Sequence, residues 1–230
     1  MIISHDYKFI FIKTNKTAGT SVEIALSRFC GADDIISPIK PRDEKSRKEL
    51  GYRGCQHYLS PPGDYSLKDI TRLLLRGKRK KRFYSHISAS EVRKHIGNQC
   101  WDSYFKFCVE RNPWDRVISL YYWKHKSEPR PTILEFIESD APLRLKQRGY
   151  DLYTINGQLA VDRVCRFENL AEEMEAIRTQ LGMPEKLDLP RAKAGFRKDK
   201  RNYRDILGEK EQARIAALFR DEIDLLGYEF

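Results

Sequence analysis

The sequence predicts an α/β protein with a central parallel sheet and helices on both sides. Phe9–Ile12 is apolar at every position, as expected of a parallel strand covered on both faces, and a helix start follows near Ser21. A second strand is predicted over 103–111, before a helix with Asn112 as N-cap. The length of 230 residues suits one α/β domain, so we expect residues 1–230 to form a single domain.

Composition bounds the function classes. The formal net charge is +10, from 43 basic and 33 acidic residues, which favours an anionic ligand, acceptor or surface. The five cysteines form no CxxC pair, so we expect reduced thiols and neither a disulfide framework nor a metal site. No apolar run could span a bilayer, and the chain enters its first strand at once, without room for a signal peptide. A cytoplasmic protein is therefore expected, with peripheral membrane contact left open.

The loop after the first strand carries a cation, three hydroxyls and a glycine at a predicted helix N-terminus. Thr20 and Glu23 form a capping-box pattern, which predicts a helix over 21–29. Free N–H groups and the helix dipole favour an oxyanion at such a place. The loop does not fit the nucleotide-binding pattern G-x-x-x-x-G-K-S/T, because no glycine precedes its lysine. We expect the oxyanion to be held by Lys16, Thr17, Ala18, Gly19, Thr20 and Ser21.

Residues 32–82 are predicted to form an insertion outside the regular α/β pattern, on the acceptor side of the domain. Residues 32–64 are polar and rich in Pro, Gly and Lys, so we interpret them as irregular, shaping an acceptor site. Ser66 then caps a short amphipathic helix that ends near Gly77. The basic run 76–82 follows, and it fits either a solvated loop or a basic lip that attracts an anionic acceptor or a membrane surface.

His86 is the candidate general base. Residues 82–86 are predicted as a short strand, and Ser88 caps a helix that runs to about Ile96. Ligands collect at the carboxyl ends of strands in open α/β sheets, and a histidine there titrates near working pH. The competing interpretation is a histidine that is merely hydrogen-bonded to a loop.

The second strand–helix unit supplies candidate phosphate ligands. Arg111 ends the strand, and Arg116, Ser119 and Trp123 share one face of the following helix at i, i+3 and i+7. The planar fork of arginine can donate two hydrogen bonds to a phosphate at once. Further along, 156–157 is a hairpin-type Asn-Gly turn, 169–181 a capped helix, 193–204 a basic loop, and a single final helix closes the chain.

Three segments resemble the carbohydrate sulfotransferases of the Golgi and bacterial type. The order Lys-Thr-x-Gly-Thr-Ser from Lys16 resembles the 5′-phosphosulfate loop of enzymes that use PAPS (3′-phosphoadenosine 5′-phosphosulfate). Segment 109–121 resembles the family's 3′-phosphate motif, which pairs an arginine with a serine eight residues later, here Arg111 and Ser119. Segment 162–170 resembles a third family segment. The resemblance covers residues 9–230 and is weakest over 32–82.

This resemblance implies a P-loop-like domain and transfer of a sulfuryl group from PAPS to an acceptor hydroxyl. Lys16 would stabilise the leaving group, Arg111 and Ser119 would anchor the 3′-phosphate, and His86 would serve as base. The acceptor would be a carbohydrate or glycolipid, anionic ones included, in a bacterial cytoplasmic enzyme that needs no metal. A small alcohol, a phenol and a peptide tyrosine stay open as other acceptors. In this family a basic loop before the last helix closes over PAPS, and the resemblance assigns that role to Lys198, Lys200 and Arg201.

The sequence also departs from the family pattern, and alternatives stay open. Asn15 stands where many relatives have proline, Ala18 where many have glycine, and Glu110 where relatives often have a small or basic residue. A P-loop kinase or nucleotidase would need a glycine ahead of Lys16 and an acidic magnesium ligand at a strand end. A polyanion-binding or membrane-surface protein would use the 76–82 run, with salt-sensitive binding and no turnover.

Overall fold

The computed structural model describes residues 1–190, 199 and 201–230. Its main sheet has five strands in the spatial order β3, β1, β2, β4 and β7. A separate two-stranded hairpin is formed by β5 and β6 around the predicted Asn156–Gly157 turn. The strands are β1 (Ile2–Ser4), β2 (Phe9–Ile12), β3 (Ile35–Ile36), β4 (Phe105–Glu110), β5 (Thr154–Ile155), β6 (Gln158–Leu159) and β7 (Arg163–Arg166).

The centre of the sheet is parallel and one edge is antiparallel. Phe9 of β2 lies opposite Phe105 of β4, and Phe107 of β4 lies opposite Arg163 of β7, both in parallel register. β1 runs antiparallel to both β2 and β3. The predicted α/β sheet is confirmed, with an added antiparallel edge. Strands of two and three residues are too short to show a periodic pattern in the sequence.

Helices cover both faces of this sheet, as predicted. On one face Phe9 and Phe11 of β2 pack with Leu26 and Ile177, and on the other Ile10 packs with Val92. The alternation follows from the two-residue period of a strand. The helices are α1 (Gly19–Ser27), α2 (Pro41–Glu49), α3 (Leu67–Arg76), α4 (Ala89–Ile96), α5 (Asn98–Ser103), α6 (Pro113–Lys124), α7 (Ile133–Glu138), α8 (Asp140–Gln147), α9 (Tyr150–Tyr153), α10 (Leu170–Gln180), α11 (Glu209–Leu218) and α12 (Arg220–Leu226).

A third apolar cluster joins α6, α7, α8 and α11. Val117, Phe136, Leu145 and Ile215 are among its buried members. Phe219 is fully buried in it and leaves the helical conformation, at φ −106° and ψ 27°. The single final helix predicted from the sequence is therefore wrong, because the chain turns at this buried aromatic residue and continues as α12.

Most predicted helix starts are confirmed, and one predicted capping box is wrong. Ser66, Ser88 and Asn112 cap α3, α4 and α6 with their side chains. The first helix begins at Gly19, two residues before the predicted start, and it is the capping box predicted for it that is wrong. Glu23 makes no capping box, because its buried carboxylate pairs with the Lys13 ammonium at 2.5 Å. A buried carboxylate left without a charge partner would cost several kcal/mol, so Glu23 stays with Lys13 and does not turn back to the helix start.

Two predictions over residues 32–86 are wrong. Residues 32–64 are not wholly irregular, because they contain β3 and α2. α2 has a proline at its first turn, acidic residues in that turn and basic residues in the last, which suit the helix dipole without any apolar period. Residues 82–86 form no strand, and the neighbouring Lys81 makes a single isolated bridge, to Leu59.

Candidate active site

A cavity of about 850 Å³ opens beyond the carboxyl ends of β2 and β4. Two walls enclose it. The loop wall consists of residues 16–21 with Arg111 and Ser119, and the outer wall consists of residues 38–43, residues 81–86 and Arg148. The lining residues include Lys16, Ala18, Gly19, Thr20, Ser21, Arg111, Ser119 and Trp123 together with Lys40, Asp43, Lys81, Tyr84, Ser85, His86 and Arg148. Most of the residues singled out from the sequence thus meet in one place.

The loop after β2 is shaped by left-handed backbone conformations at two non-glycine residues. Lys16 has φ 68° and Ala18 has φ 59°, and Ala18 is the N-cap of α1. Such conformations cost roughly 1–2 kcal/mol per non-glycine residue. A Cβ on Gly19 would lie 2.9 Å from Lys13 Cγ and 3.3 Å from the Thr14 carbonyl oxygen. Glycine at this position therefore lets α1 begin close against the end of β2 and brings its N-terminus to the cavity.

Thr17 is the exception among the predicted loop ligands. It is fully buried, and its Oγ1 lies 2.7 Å from Thr14 Oγ1. Thr14 Oγ1 donates to the Val109 carbonyl of β4, so Thr17 must be the donor in the threonine pair. The Thr17 hydroxyl therefore fastens the loop to the sheet, whereas Thr20 and Ser21 line the cavity.

Lys16 shares an aromatic neighbour with a lysine of the outer wall. Its Nζ lies 5.5 Å from the centroid of the Trp123 ring, and Lys40 Nζ lies 4.8 Å from the same centroid. Both distances fall within the range of a cation–π contact. Trp123 is thus the point where a cation of the loop wall meets one of the outer wall.

Arg111 is oriented by three groups. Asp115 accepts from Nε at 2.9 Å and from Nη2 at 2.5 Å, and the Lys16 carbonyl accepts from Nη1 at 3.3 Å. The guanidinium also lies over the Phe167 ring, 4.1 Å from its centroid. These contacts fix the plane of the fork beside Ser119 in the loop wall, with Asp115 on one edge.

Arg116 was expected to share a ligand-facing surface with Ser119 and Trp123, and the structure places it elsewhere. It is fully buried and donates to Glu110 Oε1 at 2.7 Å, to the Asn15 carbonyl at 2.9 Å and to the Arg148 carbonyl at 3.3 Å. A Cβ on Gly149 would lie 2.3 Å from its Nη2. Arg116 thus connects the two walls, and its guanidinium packs against the backbone of Gly149. We call this connection the bracket.

Two departures from the family pattern belong to this bracket. Glu110 is buried and accepts from Arg116 and from the Arg111 backbone N–H at 3.0 Å. Burial raises the pKa of Glu110, and the Arg116 charge opposes that rise. The Asn15 N–H donates to the Arg148 carbonyl at 2.8 Å, a bond that proline could not make. Asn15 therefore bonds directly to Arg148 of the outer wall, whereas Glu110 acts through its contact with Arg116.

His86 lies in the outer wall, held by the residue that follows β2. Its Nδ1 is 2.9 Å from the Lys13 carbonyl oxygen, which can only accept, so Nδ1 carries the proton and Nε2 has the lone pair. Burial lowers the pKa of His86 to about 4; the positive charges of Lys13 and Arg148 act the same way, against the hydrogen bond. The imidazole is therefore neutral at pH 7 and can accept a proton.

A buried ion cluster ties α2 to the base of the loop. The Glu23 carboxylate contacts Lys13 Nζ at 2.5 Å, the Met1 amino group at 3.0 Å and Arg47 Nη2 of α2 at 3.7 Å. Burial alone would raise the pKa of Glu23, but the positive charges of Lys13 and Arg47, with the contact to the amino terminus, outweigh burial and hold the pKa at about 2. The carboxylate therefore stays charged, and α2 keeps its place beside the outer wall.

The predicted basic loop is only partly within the described residues. Lys198 and Lys200 lie outside them. Arg201 is exposed and pairs with Asp199 at 2.7 Å, and Asp199 also accepts from the Tyr122 hydroxyl at 2.9 Å. No group of three or more His, Cys, Asp or Glu side chains that could hold a metal ion occurs among residues 1–190, 199 and 201–230.

Sequence reasoning reached the outer wall only in part. It singled out His86 and the basic run 76–82, which contains Lys81, and it expected residues 32–64 to shape an acceptor site. It did not single out three further lining residues, Lys40, Tyr84 and Arg148. These three residues form no motif, and the available signal for them was the basic balance of the chain, which indicates an anionic ligand without naming residues.

Residues 1–153 match the model of the sulfotransferase family, and the chain therefore belongs to the sulfotransferase family. An uncharacterized protein from Archaeoglobus fulgidus is 33% identical over 103 residues, which make up 43% of this chain and 84% of the relative. Membership of this family supports sulfuryl transfer as the general reaction.

Solved sulfotransferases are similar at low sequence identity. One, from Alicyclobacillus acidocaldarius, has 16% identity and a TM-score of 0.44, over 97% of this chain and 96% of its own. Another, mouse sulfotransferase SULT7A1 complexed with PAP, has 14% identity and a TM-score of 0.48, over 96% and 86%. In the described part of this chain, no helix is both long and apolar enough to cross a membrane.

Proposed function

We propose that this sulfotransferase transfers the sulfuryl group of PAPS to a hydroxyl of a carbohydrate or glycoconjugate acceptor. The observation that supports this proposal is that one cavity gathers Lys16, the N-terminus of α1, Arg111, Ser119 and His86. Phosphate and sulfate oxygens accept hydrogen bonds only, and the loop wall offers cations, hydroxyls and backbone N–H groups. The residues therefore fit a nucleotide with two separate anionic groups.

PAPS would supply an activated sulfuryl group, whose bond to the bridging oxygen breaks as the acceptor oxygen bonds to sulfur. Lys16 and residues 18–21 would hold the phosphosulfate, and Arg111 with Ser119 would hold the 3′-phosphate and set its orientation. The Lys16 ammonium would stabilise the charge that grows on the departing phosphate oxygen. His86 Nε2 would take the proton of the attacking hydroxyl, which completes the balance of the reaction.

The outer wall supports an anionic acceptor. Lys40, Lys81 and Arg148 bring three positive charges, against the one carboxylate of Asp43 among the lining residues of this wall. A single domain over 1–230, supported by the packing of α11 on α6, and a bacterial cytoplasmic location both stay predictions.

Calorimetric titration with PAP, the desulfated nucleotide, tests the proposal. We expect metal-independent binding that Arg111→Ala weakens about tenfold to hundredfold, the worth of a charged hydrogen bond. Arg220→Ala, at an exposed position on α12, is the matched control and leaves the affinity unchanged. Binding of ATP with magnesium in place of PAP would establish the kinase alternative, and binding of neither nucleotide would favour a polyanion-binding protein. Incubation with sulfur-labelled PAPS and a panel of neutral and acidic oligosaccharides then identifies the acceptor.

A further inference from the structure

α3 carries an exposed apolar face. Leu67, Leu74 and Leu75 are 83%, 78% and 84% exposed, Ile70 is 42% exposed, and no residue of α3 is buried. Leu67, Ile70 and Leu74 recur at i, i+3 and i+7, so they share one side of the helix. An amphipathic helix buries its apolar side against something, and the described part of the chain does not cover this one.

The other side of α3 and the segment after it are basic. Lys68, Arg72 and Arg76 follow one another at i, i+4 and i+8, opposite the leucines. Residues 76–82 then place six lysines and arginines among seven residues. We use the name α3 surface for the set formed by Leu67, Ile70, Leu74, Leu75 and residues 76–82.

Local contacts make the α3 surface one unit. Lys80 Nζ pairs with Asp69 of α3 at 3.0 Å and donates to the Asp64 carbonyl at 2.8 Å. The Lys80 N–H donates to the Tyr65 hydroxyl at 3.1 Å. The basic segment is thus folded back onto α3 and is held beside its apolar face.

We propose that the α3 surface docks this protein onto an anionic lipid bilayer. The leucines enter the boundary between headgroups and acyl chains, and the lysines and arginines contact anionic headgroups. A helix with one apolar and one basic side fits this interface, because its two sides meet the two layers of the lipid surface. Nucleic acid offers nothing to cover the leucines, and a second copy would bring two basic segments together.

The α3 surface adjoins the cavity. Lys81 belongs both to the basic segment and to the outer wall, and its backbone bridges to Leu59. Docking therefore brings the mouth of the cavity to the membrane. Binding to lipid does not depend on sulfuryl transfer, so the two proposals can fail separately.

Vesicle flotation of the purified chain tests the docking proposal. We expect partition onto phosphatidylcholine vesicles that contain phosphatidylglycerol, little onto pure phosphatidylcholine, and weaker partition at high salt, since added ions screen charges beyond about 10 Å at 0.1 M. Leu74→Asp should lower the partition coefficient at least about tenfold, because a leucine no longer enters the apolar layer. Lys78→Glu should lower it at least about fivefold, since each basic residue near such a surface contributes about that factor.

Matched controls and opposite outcomes keep the test decisive. Leu143→Asp, at a leucine of α8 that is 47% exposed, and Lys210→Glu, at an exposed lysine of α11, should leave partition unchanged. Thermal unfolding of Leu74→Asp should match the parent, since the side chain is 78% exposed. Absence of binding to either vesicle overturns the proposal, as does binding that Leu74→Asp leaves intact. Self-association in sedimentation experiments that Leu74→Asp abolishes would instead assign the surface to a second copy.

Discussion

The two walls of the cavity are built in different ways. The loop wall comes from the two turns that directly follow β2 and β4, so its ligands lie at fixed distances from strand ends. The outer wall is assembled from residues 38–43, 81–86 and 148, which meet only through tertiary contacts. The loop wall is thus specified by local sequence, whereas the outer wall depends on how distant segments of the chain pack together. Arg116 and Asn15 join them.

The largest expected effect separates proton transfer in the outer wall from nucleotide binding in the loop wall. His86→Asn should lower turnover about 10²–10⁴-fold, the range for a lost general base. Its affinity for PAP should stay within about twofold, because the lost proton acceptor touches neither phosphate. Measurement pairs a turnover assay with PAP calorimetry. His57→Asn, at an exposed histidine outside the cavity, is the control, and equal losses in both variants would contradict the assignment.

The pH dependence of the same step follows from the pKa of His86. The deprotonated imidazole is the active form, so a lowered pKa keeps the base available in acid. We expect kcat/KM to hold through the ordinary histidine value of about 6.5 and to fall as the pH approaches about 4. A pH profile of kcat/KM for the acceptor, measured at saturating PAPS, gives the result. An acidic limb centred near the ordinary value would show that another group limits the reaction.

The next effect falls on the bracket between the walls. Arg116→Met leaves the Glu110 carboxylate buried without its charge partner, so we expect the free energy of unfolding to drop by about 3–5 kcal/mol. Urea unfolding measures the change. The double variant Arg116→Met with Glu110→Gln should recover part of the loss, since no buried charge then remains. An equal drop in the single and the double variant would show that the hydrogen bonds of Arg116 to backbone carbonyls, and not its charge pair with Glu110, contribute most of the stability.

A smaller effect contrasts the cations of the two walls. Lys81→Ala should raise the KM for an anionic acceptor about fivefold at most, because an exposed pair is worth ~1 kcal/mol or less, and should leave PAP affinity unchanged. Arg111→Ala should do the reverse. The comparison is sharpest with one oligosaccharide in its neutral and its acidic form. Equal sensitivity of both forms to Lys81→Ala would remove the case for an anionic acceptor.

The smallest effect concerns the strained turn of the loop wall. Ala18 has φ 59°, so Ala18→Gly should stabilise the fold by about 0.5–1 kcal/mol, once the greater freedom of glycine in the unfolded chain is subtracted. Ala25→Gly, the same substitution inside α1, should destabilise it by about 1 kcal/mol. Thermal and urea unfolding of the pair report the difference. A loss of stability in both would mean that the turn is unstrained in solution.

The sequence predicts best where function follows a strand end. Lys16, Arg111 and Ser119 could be placed because buried strands and helix caps fix the turns between them. His86 lines the cavity, but the predicted strand does not place it there. A hydrogen bond to the Lys13 carbonyl oxygen holds it instead. The direction of the Arg116 side chain could not be predicted, because the helical spacing of residues does not show that its partner Glu110 is buried in the protein interior.

Likewise, the outer wall has no periodic signal. α2 has almost no apolar residues, and the segments that carry Lys81 and Arg148 meet it only after the chain has folded. Charge composition predicted an anionic partner but could not choose between a cavity ligand and a lipid surface. Lys81 and the leucines of the α3 surface are all exposed, and only the folded structure shows that Lys81 lines the cavity whereas the leucines do not.

The contact between Arg116 and Gly149 has a consequence for how this sequence can drift over evolution. Any side chain at position 149 would begin 2.3 Å from the guanidinium, so it would displace the buried arginine from its hydrogen bonds. The two positions should therefore change together among relatives, 33 residues apart in the chain. In a relative with a shorter residue at position 116, a larger residue could stand at position 149. The mouth of the cavity beside Arg148 would then have a different shape.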